Sequence, residues 1–173
     1  MHKRRRHDLN AIDTASGLYS RTYFNSKLED EYQHALRYKN HLSLSLINID
    51  NLNEVSNSLG RKAVDTYLRA LATLILQTIR RVDIATRYKE DEIAVIMPHT
   101  VGENAIVQAE RLREKVVALE VPFEDHTVRS TVSTGVASLN LDAGMTAEGL
   151  IDTARSALKS AKDAGNNRVL SYG

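Results

Sequence analysis

The spacing of apolar residues changes several times along the chain, and each change predicts an element of secondary structure. Leu42–Ile49 alternates leucine with serine and then becomes mostly apolar, which predicts a strand that enters the core. In four further segments apolar residues recur every three or four positions, a spacing typical of amphipathic helices. The predicted helices cover residues 24–36, 62–80, 102–119 and 150–161.

Shorter apolar runs predict the remaining strands. Residues 83–88 and 92–97 are separated by so few positions that they predict an antiparallel hairpin. Val128, Val132 and Val136 share parity, which predicts one buried face of a single strand, and residues 168–172 predict a last strand. Because the hairpin interrupts an alternation of strands and helices, the fold class is predicted as α+β with a mixed, antiparallel-rich sheet.

Composition narrows the class of protein. The 173 residues, 42% hydrophobic and 26% charged, fit one compact domain of ordinary composition. The chain has no cysteine, which excludes a disulfide framework and thiolate chemistry. No apolar run has the length of a membrane span or the pattern of a signal peptide, so a cytoplasmic location is expected.

The charge is distributed unevenly. The formal net charge is +1, and the basic run at residues 3–6 contributes more than that, so the rest of the chain is mildly acidic. Together with the absence of tryptophan, this argues against nucleic acid as a partner. Residues 1–12 are interpreted as a solvated tail or as a linker next to a membrane-spanning segment of a longer protein. The sequence leaves both interpretations open.

Five motifs in order carry a family resemblance. They are Asp-Thr-Ala-Ser-Gly-Leu-Tyr-Ser-Arg at 13–21, Ile-Asn-Ile-Asp at 47–50, Arg-Tyr-Lys-Glu-Asp-Glu-Ile at 87–93, Val-Ser-Thr-Gly-Val-Ala at 132–137 and Ala-Lys-Asp-Ala-Gly-Asn-Asn at 161–167. This series resembles the GGDEF family, the diguanylate cyclases that join two GTP molecules into cyclic di-GMP. The resemblance implies a nucleotide-cyclase-like fold for residues 13–173, with helices around a central antiparallel-rich sheet.

The resemblance also implies a catalytic metal site, and this chain departs from it. Family members hold Mg²⁺ between two carboxylates, and Mg²⁺ requires anionic oxygen ligands. Asn48 stands where the family has the first carboxylate, whereas Asp50, Asp91 and Glu92 keep acidic positions. The hypothesis is therefore a vestigial metal site. The alternative for Asp91 and Glu92 is a solvated hairpin edge.

Other family positions for the substrate are changed as well. Lys89 and Glu90 replace the paired glycines, and we expect them to strain a turn that needs positive φ and to obstruct the nucleotide. Ser56 replaces an asparagine that helps hold guanine, while Asp65 matches a residue that contacts guanine. Lys162 matches a phosphate-binding lysine, but its companion arginine is Asn166.

A second family motif is intact. Arg80-Arg81-Val82-Asp83 has the sequence and spacing of the R-x-x-D inhibitory site, where an arginine pairs with phosphate or guanine and an aspartate accepts from guanine. Arg111 matches an arginine that reaches the same ligand from a second domain. In the alternative interpretation, Arg80 complements a helix dipole, Asp83 caps a turn and Arg111 lies on a solvated helix face.

The sequence therefore predicts a catalytically inactive GGDEF domain that binds cyclic di-GMP as a regulatory module. The alternatives are a weak cyclase that uses Asp91 and Asp50, or a protein-interaction domain that binds no nucleotide. No cofactor is expected, and Mg²⁺ would be needed only with residual cyclase activity. The expected partners are cyclic di-GMP, a second copy in a ligand-promoted homodimer and other signalling domains, with membrane contact only through neighbouring segments.

Overall fold

A computed structural model describes residues 11–172. In chain order the elements are α1 (Arg21–Tyr38), β1 (Leu42–Ile49), α2 (Leu52–Leu59), α3 (Arg61–Thr78), β2 (Ile84–Lys89), β3 (Glu92–Pro98), α4 (Gly102–Val117), β4 (Val121–Phe123), β5 (His126–Val128), β6 (Val132–Ser138), α5 (Ala147–Asp163) and β7 (Val169–Tyr172). The basic run at residues 3–6 lies outside the described residues. Across residues 11–172, no helix combines the length and the apolar character needed to cross a bilayer.

The main sheet has the strand order β2-β3-β1-β6-β7. Its pairs are antiparallel except for β6 and β7, which run parallel. The register places Asn48 at the end of β1 opposite both Glu92 on β3 and Ser133 on β6. The predicted α+β fold with a central, mostly antiparallel sheet is confirmed.

Helices cover both faces of the sheet, and alternate side chains of β1 pack into the core on opposite faces. Leu42, Leu44 and Leu46 pack in the core under α1 and α5, whereas Ile47 and Ile49 pack in the core under α3 and α4. The intervening serines are buried too, and Ser43 Oγ donates to the carbonyl of Thr100. Ser43 can therefore lie in a central strand because its hydroxyl finds an internal acceptor.

Helix α5 lies directly on β6. At Gly135 an added Cβ would be 2.2 Å from the carbonyl oxygen of Ala154, a distance that a real side chain cannot occupy. Glycine therefore permits the close approach of helix and strand. This contact fixes which residues of α5 face the end of the sheet where β1 and β3 meet.

One predicted strand was wrong, and one helix was not predicted. Val128 belongs to β5, in a small hairpin with β4, whereas Val132 begins β6, so the three valines do not share one strand. Residues 129–131 separate the strands, and Ser130 Oγ there bonds to the Asp50 carbonyl instead of continuing the ladder. Helix α2 was not predicted, because its eight residues are too few to establish a helical period and only Leu52 among them is buried.

Candidate functional site

Asn48 and Asp91 meet at the end of the sheet where the metal site was predicted. The backbone of Asp91 accepts a hydrogen bond from Ile49 N at 2.8 Å, which fixes the hairpin turn against the end of β1. The side chain of Asn48 donates through Nδ2 to Asp91 Oδ2 at 3.1 Å. Asp91, the carboxylate expected to remain from the family's metal pair, is thus bonded to a neutral amide. Within residues 11–172, no group of three or more histidine, cysteine or acidic side chains is arranged to hold a metal ion.

Glu92 is neutralised by basic side chains. Its carboxylate is nearly buried and lies 2.6 Å from Arg155 Nη1 on α5 and 3.9 Å from Lys89 Nζ. The guanidinium of Arg155 also lies over the ring of Tyr88, and this contact helps to hold it beside Glu92. Sequence analysis did not single out Arg155. The one available signal is that it is a basic residue within the strongly apolar stripe of α5.

Asp50 has a structural role in this arrangement. Its buried carboxylate accepts hydrogen bonds from Thr131 Oγ1 at 2.7 Å, Ser133 Oγ at 2.8 Å and Asn167 N at 3.2 Å. These bonds hold the loop after α5 against the end of β1. A carboxylate with three internal donors is poorly placed to bind a cation. The alternative in which Asp50 assists a weak cyclase is therefore not supported by the geometry.

The hairpin turn is not strained, contrary to the expectation for Lys89 and Glu90. Positive φ occurs at several non-glycine positions of residues 11–172, but neither Lys89 nor Glu90 is among them. The register of β2 and β3 shifts between Arg87 and Lys89, and this irregularity absorbs the extra backbone. Arg87 Nη2 also donates to the Glu90 carbonyl at 2.7 Å, and its Nη1 donates to Asp13 at 3.2 Å.

The predicted guanine positions lie on α2 and α3, next to the hairpin. Arg61 Nη1 lies 3.6 Å from Glu90 Oε1, and Arg61 Nε lies 3.8 Å from Asp65 Oδ1. The arginine thus spans from Asp65 to the hairpin. Ser56 is half-buried on α2.

The predicted phosphate positions are divided between two places. Lys162 lines a cleft of about 370 Å³ together with Glu92, Arg155 and Lys159. Asn166 lies apart from it, with its Oδ1 3.5 Å from Ser133 Oγ. The structure thus brings Lys162 close to Glu92 and leaves Asn166 in the loop held by Asp50.

The intact Arg80–Asp83 motif forms the turn between α3 and β2. The backbone N–H of Arg80 donates to Asp83 Oδ2 at 2.8 Å, and Arg80 Nη2 donates to Asp83 Oδ1 at 3.1 Å. The same Nη2 donates to the Pro98 carbonyl at 2.7 Å and to the Thr100 hydroxyl. The proposed turn-capping role of Asp83 is confirmed. All of these guanidinium bonds involve Nη2, so Nη1 and Nε of Arg80 have no acceptor among residues 11–172.

Asp83 itself is less accessible than the motif suggested. Its side chain is 0% exposed, and Gln108 Nε2 adds a further hydrogen bond to Oδ2 at 2.9 Å. A guanine can reach this carboxylate only if Gln108 releases it. In this structure Asp83 acts as a positioning residue that holds Arg80.

A cleft of about 270 Å³ lies beside this turn. Thr78, Thr100, Asn104, Gln108 and Val107 line it together with Arg80, His99 and Arg111. Arg111 was expected to reach the ligand from a second copy, and in the structure Arg111 also lines the cleft of Arg80 in its own chain. Two arginines and several amide or hydroxyl groups therefore converge from one domain, which is the donor set expected for a phosphate-bearing ligand.

The mostly antiparallel sheet and its helical layers define a nucleotide-cyclase-like fold. Residues 10–168 match the family described as "Diguanylate cyclase, GGDEF domain". The chain belongs to the GGDEF family, and the recognition made from its motifs is confirmed at that level.

Curated relatives and solved structures agree with this assignment. The chain is 33% identical over 168 residues to the probable diguanylate cyclase DgcC of Escherichia coli and 30% identical over 165 residues to the response regulator PleD of Caulobacter vibrioides. It covers 45% and 36% of the lengths of those proteins. The GGDEF domain of DgcB from Caulobacter crescentus, solved in complex with c-di-GMP, superimposes with a TM-score of 0.88 at 23% identity, covering 93% of this chain and 95% of that one.

Proposed function

We propose that this domain binds cyclic di-GMP in the Arg80 cleft and has lost cyclase activity. The observation that carries the proposal is the contrast between the two ends of the fold. At one end Arg80 lines a cleft that also contains Arg111, and its hydrogen bonds within residues 11–172 use only Nη2 of the guanidinium. At the other end Asp91 and Glu92 are bonded to Asn48 and Arg155.

The residues at the catalytic end do not fit Mg²⁺. A hard cation favours carboxylate oxygens that are free to coordinate it. Here Asp91 accepts from an amide N–H, and Glu92 has two cationic partners. This departure, together with the sequence Lys-Glu-Asp-Glu-Ile at 89–93, supports a degenerate catalytic site. We derive no phosphoryl-transfer step for this chain.

The Arg80 cleft is suited to an anionic dinucleotide. A guanidinium offers paired donors to a phosphate or to the O6 and N7 atoms of guanine. Asp83, Pro98 and Thr100 fix the orientation of Arg80 through Nη2, which reduces the entropy that the side chain loses on binding. Amide and hydroxyl groups around the arginines add further polar contacts. The resemblance between this motif and the R-x-x-D inhibitory site gives the ligand its proposed identity.

Isothermal titration calorimetry with cyclic di-GMP tests the binding site. Arg80→Ala is expected to weaken binding by about thirtyfold, which corresponds to ~2 kcal/mol for a charge-assisted contact. Arg81→Ala is the matched control, because Arg81 is the exposed neighbour and does not line the cleft. Since Arg80 also supports the turn, Arg111→Ala provides a second test at an exposed position. Equal affinities in wild type and in both cleft variants would contradict the site.

Incubation with GTP and Mg²⁺ or Mn²⁺ tests the loss of activity. We expect no conversion to cyclic di-GMP, because one missing oriented electrostatic group commonly costs about 10²–10³-fold in rate. A variant that combines Asn48→Asp with glycines at positions 89 and 90 is the corresponding gain-of-function test. Low but measurable wild-type turnover would support the weak-cyclase alternative. Turnover similar to that of an active GGDEF enzyme assayed in parallel would contradict the proposed loss of activity. If the wild type binds neither GTP nor cyclic di-GMP, the result would instead favour a protein-interaction domain.

A further inference from the structure

His99 lies in the cleft of Arg80 and Arg111 and has no role in the motif that identified the cleft. It follows β3, is exposed, and lines the cleft together with both arginines. Its backbone has a φ of 52°, in the left-handed region that most L-residues avoid. Strained positions of this kind occur often at binding sites, because the surrounding structure must hold them in place.

Two contacts hold His99 in this conformation. Its backbone N–H donates to the His41 carbonyl at 2.9 Å, which ties the loop to the beginning of β1. Its ring meets the ring of His34 on α1 edge to face, with centroids 6.0 Å apart. The imidazole is therefore positioned by α1 and β1 rather than left free on the loop.

The charged groups around His99 are mostly basic. Arg80 enters the cleft from the turn after α3, Arg111 from α4, and His34 contacts the ring from α1. Among residues 11–172, no carboxylate lines this cleft, since Asp83 is buried and bonded to Arg80 and Gln108, and Glu103 of α4 lines a separate cleft. An anionic ligand bound in this cleft favours positive charge on the groups that line it.

We propose that His99 makes ligand binding in this cleft pH-dependent, by taking up a proton when an anionic dinucleotide binds. The inference rests on the proposed function and deepens it. Histidine is the side chain that changes charge between pH 5 and 8. Protonated His99 carries a positive charge and an N–H donor at each ring nitrogen, whereas the neutral ring has a single N–H donor for a phosphate oxygen. Affinity is therefore greatest at low pH and falls as the pH rises through this range.

Titration calorimetry with cyclic di-GMP between pH 5.5 and 8.5 tests the inference. For the wild type we expect affinity to tighten by about tenfold from the top to the bottom of this range, the factor that corresponds to roughly 1.4 kcal/mol. Titrations in two buffers with different heats of ionisation should show net proton uptake. His99→Asn is the test variant, because asparagine tolerates the left-handed backbone and does not titrate. In this variant we expect a flat pH profile and no proton uptake.

Two control variants separate His99 from the other histidines. His126→Asn makes the same chemical change on β5, outside the cleft, and should keep the wild-type profile. His34→Gln should keep most of the pH dependence, because His34 contacts His99 but does not line the cleft. A pH dependence that survives unchanged in His99→Asn, or a flat wild-type profile, would overturn the inference while leaving the binding site intact. A wild type that binds no cyclic di-GMP at any pH would overturn the proposed function and this inference with it.

Discussion

Replacing Asn48 with aspartate places a second carboxylate against Asp91 and tests whether this end of the sheet is a converted cation site. In the wild type, Asn48 Nδ2 donates to Asp91 Oδ2 at 3.1 Å, and Asn48 is buried. In Asn48→Asp the donor becomes an acceptor with a negative charge at a similar distance. The hydrogen bond is lost, and the two carboxylates repel each other.

The magnitude follows from this distance. Two unit charges at 3.1 Å repel by about 1.3 kcal/mol in bulk water and by about 5 kcal/mol at an effective dielectric constant of ~20. Asp91 is half-buried, so the lower part of this range applies. With about 1 kcal/mol for the lost hydrogen bond, we expect a total destabilisation of ~2–3 kcal/mol. For a domain of this size, that lowers Tm by roughly 4–12 °C.

Thermal unfolding with EDTA and with added Mg²⁺ measures the effect. Asn48→Asp should be less stable than wild type in EDTA and should regain stability with Mg²⁺, because the cation neutralises the carboxylate pair. Asn48→Ala removes the hydrogen bond without adding charge, and Asn53→Asp makes the same change at an exposed position of α2. Neither control should respond to Mg²⁺. Equal stability of Asn48→Asp and wild type in EDTA would refute the assignment of this pair.

Other predictions concern stability and assembly. Burial acts to raise the pKa of Asp13, but the hydrogen bonds from Ser16 and Arg87 outweigh it and lower the pKa. The stabilisation by Asp13 is therefore present above the ordinary pKa of 3.8 and is lost as the pH falls through the lowered pKa. In acid denaturation, the stability of Asp13→Asn should fall less steeply with decreasing pH than that of the wild type. Burial raises the pKa of Tyr67 to about 12 although a contact with Ser130 lowers it, and the buried hydroxyl has no well-formed hydrogen bond within residues 11–172. Tyr67→Phe should therefore not destabilise the domain and should gain up to ~1 kcal/mol in urea unfolding. In contrast, Tyr32→Phe loses a hydrogen bond to the Met145 carbonyl and should cost about 1 kcal/mol. Cyclic di-GMP should promote a homodimer through the polar cleft that contains Arg111. Light scattering after gel filtration should show a dimer that forms only with ligand and weakens with salt. A ligand-bound monomer at micromolar concentrations would contradict the predicted dimer.

The local pattern of apolar and polar residues determined most of the secondary structure elements, and the order of the motifs determined the family. The leucine–serine alternation marked β1 as a strand, and the apolar stripe of α3 predicted most of its length, because burial of one face imposes its period on the sequence. Motif order was enough to identify the family. The sequence predicted the antiparallel β2–β3 hairpin correctly but not the conformation of its turn. The strain expected at Lys89 and Glu90 is absent, because an irregularity in the β2–β3 pairing supplies the turn without positive φ.

The state of each site depended on contacts between distant residues, which only the tertiary structure decided. Arg155 lies 63 positions after Glu92 and neutralises it because Gly135 lets α5 pack against β6. Similarly, Arg111 and His99 join Arg80 because α4 and the end of β3 border the turn after α3. The sequence alone determined which groups the chain carries. Strand order and helix packing decided which of these groups neutralise each other and which remain available to a ligand, because the energy of a charged or hydrogen-bonding group depends on the partners within a few ångströms of it.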